Sequence, residues 1–144
     1  MGRKKVALIL FVLSVVPGAV FGLIYLVIPR FMPYHAAAAG VGWPELSPGL
    51  RALILALLRV AGGGFLAASA AVLIMILRGF RRGLAWSYWA IPLVGACSSV
   101  PTLYATLFLK LRTQAATPWP LPALSLVLLA AGWLLSSGPG AANT

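Results

Sequence analysis

The sequence predicts an all-α integral membrane protein, a bundle of four transmembrane helices. Of its 144 residues, 62% are hydrophobic and only 8% are charged, whereas soluble domains carry roughly a quarter charged residues. The apolar residues form four long runs, and the basic residues lie mostly at the ends of these runs. We therefore expect one transmembrane domain over residues 1–144. Its predicted spans are about 6–28, 49–77, 84–109 and 119–136.

The first apolar run follows Arg3, Lys4 and Lys5, an arrangement that signal peptides also show. The run continues to Ile28, beyond the apolar core of about 7–15 residues that a signal peptide has. We therefore expect a retained first helix, bent near Pro17-Gly18.

The connection 29–48 contains prolines that exclude a continuous helix. Pro33 suits a first helical position, the following alanines favour a helix and Gly40 is typical of a helix end. These residues predict a short interfacial helix over residues 33–39, in a loop folded over one end of the bundle. Ser47-Pro48 then predicts the cap and first position of the second span, the longest helix and the central one.

The loop 78–83 is short and basic, so the second and third spans are expected to be antiparallel neighbours. Pro92 and Pro101 predict a kinked third span. The segment 117–120 introduces the fourth span, and residues 136–144 are predicted to be disordered. Basic residues are denser at the amino terminus and in the 78–83 loop than on the opposite side. By the positive-inside rule, both termini are cytoplasmic, in the bacterial inner (plasma) membrane.

Arg59 is the most informative single residue, because a charge within an apolar run is costly and needs a partner or water. Glu45 is the only carboxylate in the chain. Arg59 is therefore expected either to snorkel or pair with Glu45, holding the 29–48 loop in place, or to form an anion or headgroup site. His35, Tyr34 and Trp43 lie in the same loop, and together with Arg59 and Glu45 they are the candidate ligand-binding residues. An interfacial histidine without a partner is the alternative explanation for His35.

Small residues follow Arg59 at spacings of three and four, which suits close helix packing in membranes. This packing is expected within the monomer, with contact to another subunit as the alternative. The residues concerned are Gly62, Gly63, Gly64, Ala67, Ala70 and Ala71.

Several classes of function are disfavoured by composition. The net charge of +10 would suggest nucleic acid on a soluble protein, but here it fits anionic lipid headgroups and topology. One His, one Glu and Cys97 are too few for a metal or haem site, so we expect no metal, no cofactor and no nucleic acid. No span contains Asp or Glu, which argues against a proton-coupled transporter.

The stretch Phe31–Ala67 contains MPYH, W-x-E-L and R-V-x-G-G-G patterns. It resembles small four-helix bacterial membrane proteins that share these patterns and, more distantly, the DoxX-like group, whose members often accompany larger redox systems. The resemblance covers about a quarter of the chain. It implies a four-helix membrane fold and carries over no activity.

Three functions remain open. The first is a non-catalytic accessory subunit or partner of a larger membrane complex, which fits the scarcity of reactive groups and includes a homo-oligomer. The second is a lipid- or quinone-binding protein, with or without enzymatic activity, with its pocket at Arg59 under the 29–48 loop. The third is a small transporter or channel lined by Arg59 and by the segment between Pro92 and Pro101.

Overall fold

The computed structural model of the chain describes residues 2–113 and 115–137. Within these ranges the chain is all-helical, as predicted, and contains no strand. The tail was predicted to be disordered, and from residue 138 onward it lies outside the described residues. The described α-helices are α1 (Arg3–Val27), α2 (Pro33–Ala39), α3 (Pro48–Arg78), α4 (Ser87–Thr113) and α5 (Pro120–Ser136), and single 3-10 turns cover Trp43–Glu45 and Phe80–Arg82.

Three helices are long and apolar enough to cross a membrane: α1, α3 together with the 3-10 turn that follows it, and α4. The α5 helix is apolar but has 17 residues, fewer than the roughly 20 of a typical span. The α4 helix begins at Ser87 and ends at Thr113, later at both ends than predicted. Its last turn includes Lys110 and Arg112, and these positive charges stabilise the carboxyl end of the helix.

The connection between α1 and α3 folds as its sequence predicted. Pro33 opens α2, and the helix ends at Gly40, whose φ of 69° is a left-handed conformation that glycine adopts without strain. Ser47 caps α3, since its hydroxyl accepts a hydrogen bond from the Leu50 amide at 3.3 Å. With 31 residues, α3 is the longest described helix.

The four long helices form a ring in chain order, in which α1 packs on α3 and α5, and α4 completes the ring between them. The prediction that α3 is central was wrong, because α1 packs most extensively and also contacts α4. Glycines on α3 and α5 allow α1 to pack closely against both helices. A Cβ on Gly62 of α3 would lie 2.8 Å from the Gly22 carbonyl oxygen of α1, and one on Gly132 of α5 would lie 2.8 Å from the Phe11 ring.

Two apolar clusters occupy the two ends of the bundle. Phe11 and Phe80, whose rings meet edge to face at 5.3 Å, centre the first cluster near the amino-terminal end of α1. The second cluster joins Tyr25 and Leu58 to Phe31 and Leu46 of the connection. We call the end of the bundle that carries this second cluster the α2 end. The 29–48 connection is therefore packed onto the bundle, as predicted.

The small residues of α3 divide between the inside and the outside of the bundle. Gly62 is buried against α1, but a Cβ on Gly63 or Gly64 would meet nothing within 4 Å. Ala67 and Ala70 are exposed and Ala71 is half-buried. The expectation of close packing within the monomer therefore holds at Gly62, whereas Gly64, Ala67 and Ala70 face outward.

Candidate functional site

The fold brings most of the predicted ligand-binding residues to the α2 end. Tyr34 and His35 lie on α2 with ring centroids 4.0 Å apart, and both are half-buried. Trp43 meets Phe31 edge to face at 5.0 Å, and Phe31 also contacts His35. These side chains form one aromatic group above the end of α1. Arg59 approaches this end of α1 from α3, and Glu45 is exposed on the 3-10 turn.

Arg59 binds the carboxyl end of α1 rather than a side chain. Its Nη1 donates to the Tyr25 carbonyl oxygen at 2.6 Å, and its Nη2 donates to the Ile28 carbonyl oxygen at 2.9 Å. The last carbonyls of a helix have no partner within it and carry partial negative charge. Since α1 has no basic residue in its own last turn, Arg59 supplies that cation from the neighbouring helix. The expected pairing with Glu45 is replaced by these two backbone hydrogen bonds.

Arg51 is the arginine that ties the connection to α3. Its Nη2 donates to the Pro44 carbonyl oxygen at 2.6 Å. Its Nε is buried and has no hydrogen-bond partner among the described residues. One of the roles expected for Arg59, holding the loop through Glu45, is thus performed by Arg51, whose backbone carbonyl acceptor could not be recognised in the sequence.

His35 serves the amino end of its own helix. The Met32 amide donates to His35 Nδ1 at 3.2 Å, so this nitrogen carries a lone pair and the proton of the neutral ring is on Nε2. Burial of the ring lowers the pKa of His35 below its usual value of 6.5. The residue is therefore a neutral hydrogen-bond acceptor at pH 7.

A pair of tyrosines links α2 to α1. The Tyr34 and Tyr25 hydroxyls are hydrogen bonded to each other. Burial, followed by this hydrogen bond, raises the pKa of Tyr34 well above its usual value of 10.0, so the Tyr34 phenol stays protonated throughout the physiological range. Tyr25 was not singled out from the sequence, although its ring contacts Phe21 and Phe65 and its carbonyl binds Arg59.

A cavity of about 60 Å³ lies inside the bundle below this tyrosine pair. Tyr25 and Tyr34 line its upper part, and Pro17 of α1 lines it nearer the middle of the bundle. The described residues that line it include no charged side chain and several hydroxyls: Ser98, Ser99, Thr102 and Thr106 of α4 and Ser125 of α5. Three of them, Ser98, Thr102 and Thr106, recur every fourth residue. That spacing on one helix face is the signal by which the sequence could have revealed the cavity.

A separate groove of about 600 Å³ runs under α2 on the outside of α3. Its lining is apolar apart from His35 and includes Phe31, Leu46, Ile54 and Leu58. The sequence predicted a pocket at Arg59 under the 29–48 loop. The structure has a groove under that loop, but Arg59 does not line it among the described residues, since its guanidinium is directed at α1.

Comparison of the chain with family models, with curated proteins and with solved structures finds no match. The resemblance seen in Phe31–Ala67 therefore stays a prediction, and function is argued from geometry.

Proposed function

We propose that the chain is a non-catalytic accessory subunit of a membrane complex, which crosses the bacterial inner membrane four times and binds its partner through the outer face of α3. The partner is another membrane protein or a second copy of the chain. The exposed seam of α3 described below carries this proposal. A catalytic role would need reactive groups, and the two most reactive candidates have structural tasks: Arg59 caps α1 and His35 caps α2.

The positions of the charged residues along the helices support a placement of the bundle across the bilayer. Arg59 and Arg78 are 19 residues apart on α3, which corresponds to about 29 Å of helix, close to the roughly 30 Å thickness of the hydrocarbon core. Arg59 lies level with the end of α1, which supports a position of this arginine near the proposed membrane boundary. Lys110 stacks over the Trp119 ring at 4.8 Å on the same side, as expected at headgroup depth.

The α5 helix completes the proposed set of four spans. Its 17 residues extend about 26 Å, and they pack between α1 and α4 rather than at the edge of the bundle. Basic residues at the amino terminus and around the 3-10 turn Phe80–Arg82 favour a cytoplasmic location for that end of the bundle. An even number of spans then leaves both termini in the cytoplasm.

The outer face of α3 carries an unpaired seam with the spacing of a heptad repeat, alternating steps of three and four residues. Its members are exposed apart from the half-buried Ala71: Leu50, Leu53, Leu57, Val60, Gly64, Ala67, Ala71 and Ile74. This is the pattern by which one helix packs against another along its whole length.

The composition of the seam changes along α3, so that one part suits helix association in water and the other suits helix association in lipid. In the proposed placement, Leu50, Leu53 and Leu57 lie beyond the end of α1, outside the hydrocarbon core. Exposed apolar residues in contact with water mark interaction surfaces. Below Arg59 the seam consists mainly of small residues, such as Gly64 and Ala67, which let helix backbones approach closely in lipid. One partner helix laid along α3 would cover both parts.

The experiment is extraction from native membranes in mild detergent, followed by native mass spectrometry. We expect the wild-type chain to carry a membrane partner or a second copy in fixed stoichiometry, and Ala67→Leu to lose it. The matched control is Ala130→Leu, an exposed alanine of α5 that is outside the seam, and it is expected to retain the partner. A wild-type chain that is monomeric and without a companion in cross-linked native membranes would contradict the proposal.

The groove under α2 favours a second candidate, the binding of a lipid or a quinone through its apolar tail. The groove's open, apolar wall suits a hydrocarbon chain, and the Nε2–H group of His35 can donate a hydrogen bond to a head group. Ala38 lines the groove, whereas the neighbouring Ala37 is exposed and does not. Ala38→Phe should therefore abolish retention of a lipid or quinone in the same mass spectra, and Ala37→Phe should not. Equal retention by both variants would remove this candidate.

A further inference from the structure

The cavity inside the bundle has the lining of a binding site. Ser125 is only 3% exposed, and its hydroxyl, like those of Ser98 and Ser99, forms none of the side-chain hydrogen bonds found among the described residues. A buried hydroxyl group that lacks a hydrogen-bond partner is energetically unfavourable. Ser125 is the buried hydroxyl group of the three, whereas Ser98 and Ser99 are half-buried. Together they surround a space whose occupant could bond to all three.

One proline of the cavity lining leaves a backbone acceptor without its usual donor. Pro17 has no amide hydrogen, so it cannot donate to the Leu13 carbonyl one turn earlier. In membrane helices, ordered water commonly satisfies the groups that proline frees.

The lining residues give the depth of the space and its position in the bundle. On α4 the lining runs from Ser98 to Thr106, a depth of about 12 Å. Below it, Phe11, Val72, Ile91 and Leu129 fill the bundle. Above it stands the hydrogen-bonded pair of Tyr25 and Tyr34. A volume of about 60 Å³ exceeds the roughly 10–15 Å³ that a cavity needs to hold one water molecule.

We propose that this cavity is a binding site for small uncharged hydrogen-bonding molecules, with water as the basic occupant, which enter from the α2 end past the Tyr25–Tyr34 pair. The described lining contains hydroxyl groups and no charged side chain, which suits uncharged hydrogen-bonding molecules. The site is independent of the α3 seam, so it can exist whether or not the chain has a partner.

Cysteine reactivity tests the proposal in the membrane. In a Cys97→Ser background, Ser125→Cys places a thiol in the cavity lining. Ser14→Cys is the matched control, since Ser14 is similarly buried at 5% exposure, but bonds to the Phe11 carbonyl and is outside the described cavity lining. The reagent is methyl methanethiosulfonate, which is small and uncharged and reacts with the thiolate.

Desolvation raises the pKa of a thiol, and a rise of one unit lowers its thiolate fraction about tenfold. Since only Ser125→Cys would contact water in the cavity, we expect it to react on the order of tenfold faster than Ser14→Cys. Adding Tyr34→Phe, which keeps the ring but removes the hydroxyl that binds Tyr25, should increase the rate at Ser125→Cys and leave that at Ser14→Cys unchanged. Equal rates at the two cysteines would overturn the proposal.

Radiolytic hydroxyl labelling gives a test on the unaltered chain, because it oxidises side chains next to bound water. We expect Phe21 and Phe65, which line the cavity, to be oxidised in membranes, and Phe11 and Phe80 of the filled cluster to remain unmodified. Protection of Phe21 and Phe65 to the same degree as Phe11 would also overturn the proposal.

Discussion

Gly62 of α3 faces Gly22 of α1 without a side chain between the two backbones. A Cβ on Gly62 would lie 2.8 Å from the Gly22 carbonyl oxygen and 3.1 Å from the Leu26 amide nitrogen. Backbone atoms cannot move aside as a flexible side chain can. This contact therefore fixes how closely α1 and α3 approach, and with it the alignment of Arg59 with the end of α1.

Gly62→Ala is expected to destabilise the bundle by about 1–3 kcal/mol, the usual cost of overpacking a close contact. Gly63→Ala is the matched control, because nothing lies within 4 Å of its Cβ position. It should be neutral or stabilising by up to about 1 kcal/mol, since alanine favours a helix over glycine. Unfolding by sodium dodecyl sulfate, followed by circular dichroism, measures both. Equal effects of the two substitutions would show that the close contact has no energetic role.

Arg59→Ala should lower the free energy of unfolding by about 1.5–3 kcal/mol, the contribution typical of a hydrogen bond to a charged group. Arg59→Lys should recover part of this, since an ammonium can bind one of the two carbonyls. Glu45→Gln should have little effect alone, and its effect should add to that of Arg59→Ala. A coupling energy well above about 0.5 kcal/mol in this double-mutant cycle would instead indicate the ion pair expected from the sequence.

The stability of α2 should fall as the pH drops below about 6.5, the pKa of an unperturbed histidine. Burial lowers the pKa of His35 in the folded chain, so the unfolded segment binds more protons in this range and acid favours it. Protonation also removes the lone pair that accepts the Met32 amide. Above about pH 6.5 the contribution of His35 is fully present.

Amide hydrogen exchange of Pro33–Ala39, corrected for the intrinsic pH dependence, is the corresponding measurement. His35 is the only histidine in the chain, so His35→Phe should abolish the pH dependence while keeping an aromatic ring in the cluster. A persistent dependence in His35→Phe would assign the titration to another group.

The proposed topology predicts that reporters fused after residue 137 and within the 3-10 turn Phe80–Arg82 are cytoplasmic, and that one inserted at Gly40 is extracytoplasmic. Gly40 is an exposed helix end that tolerates an insertion. Fluorescent-protein and alkaline-phosphatase fusions distinguish the two sides. An extracytoplasmic carboxyl terminus would show that α5 does not cross the membrane.

The sequence was sufficient to predict the helices, because long apolar runs and their proline, glycine and serine boundaries are local features. Pro33, Gly40 and Ser47 act in the structure as their positions indicated. The acceptors of Arg59 could not be predicted, since they depend on the relative height of α1 and α3, which the Gly22–Gly62 contact sets. The cavity could not be predicted either, because it depends on Ser125 of α5 lying opposite Ser98 of α4. The sequence of one helix does not show which residues of another helix it will face.

The hydrogen bonds of Arg59 also constrain the order in which the chain can mature during synthesis. The Ile28 carbonyl at the end of α1 receives its partner from a residue 31 positions later in the chain. A ribosome that has just released α1 has therefore delivered a helix whose last carbonyls still lack that partner. The carboxyl end of α1 can therefore form these two hydrogen bonds only after the first half of α3 has been synthesised.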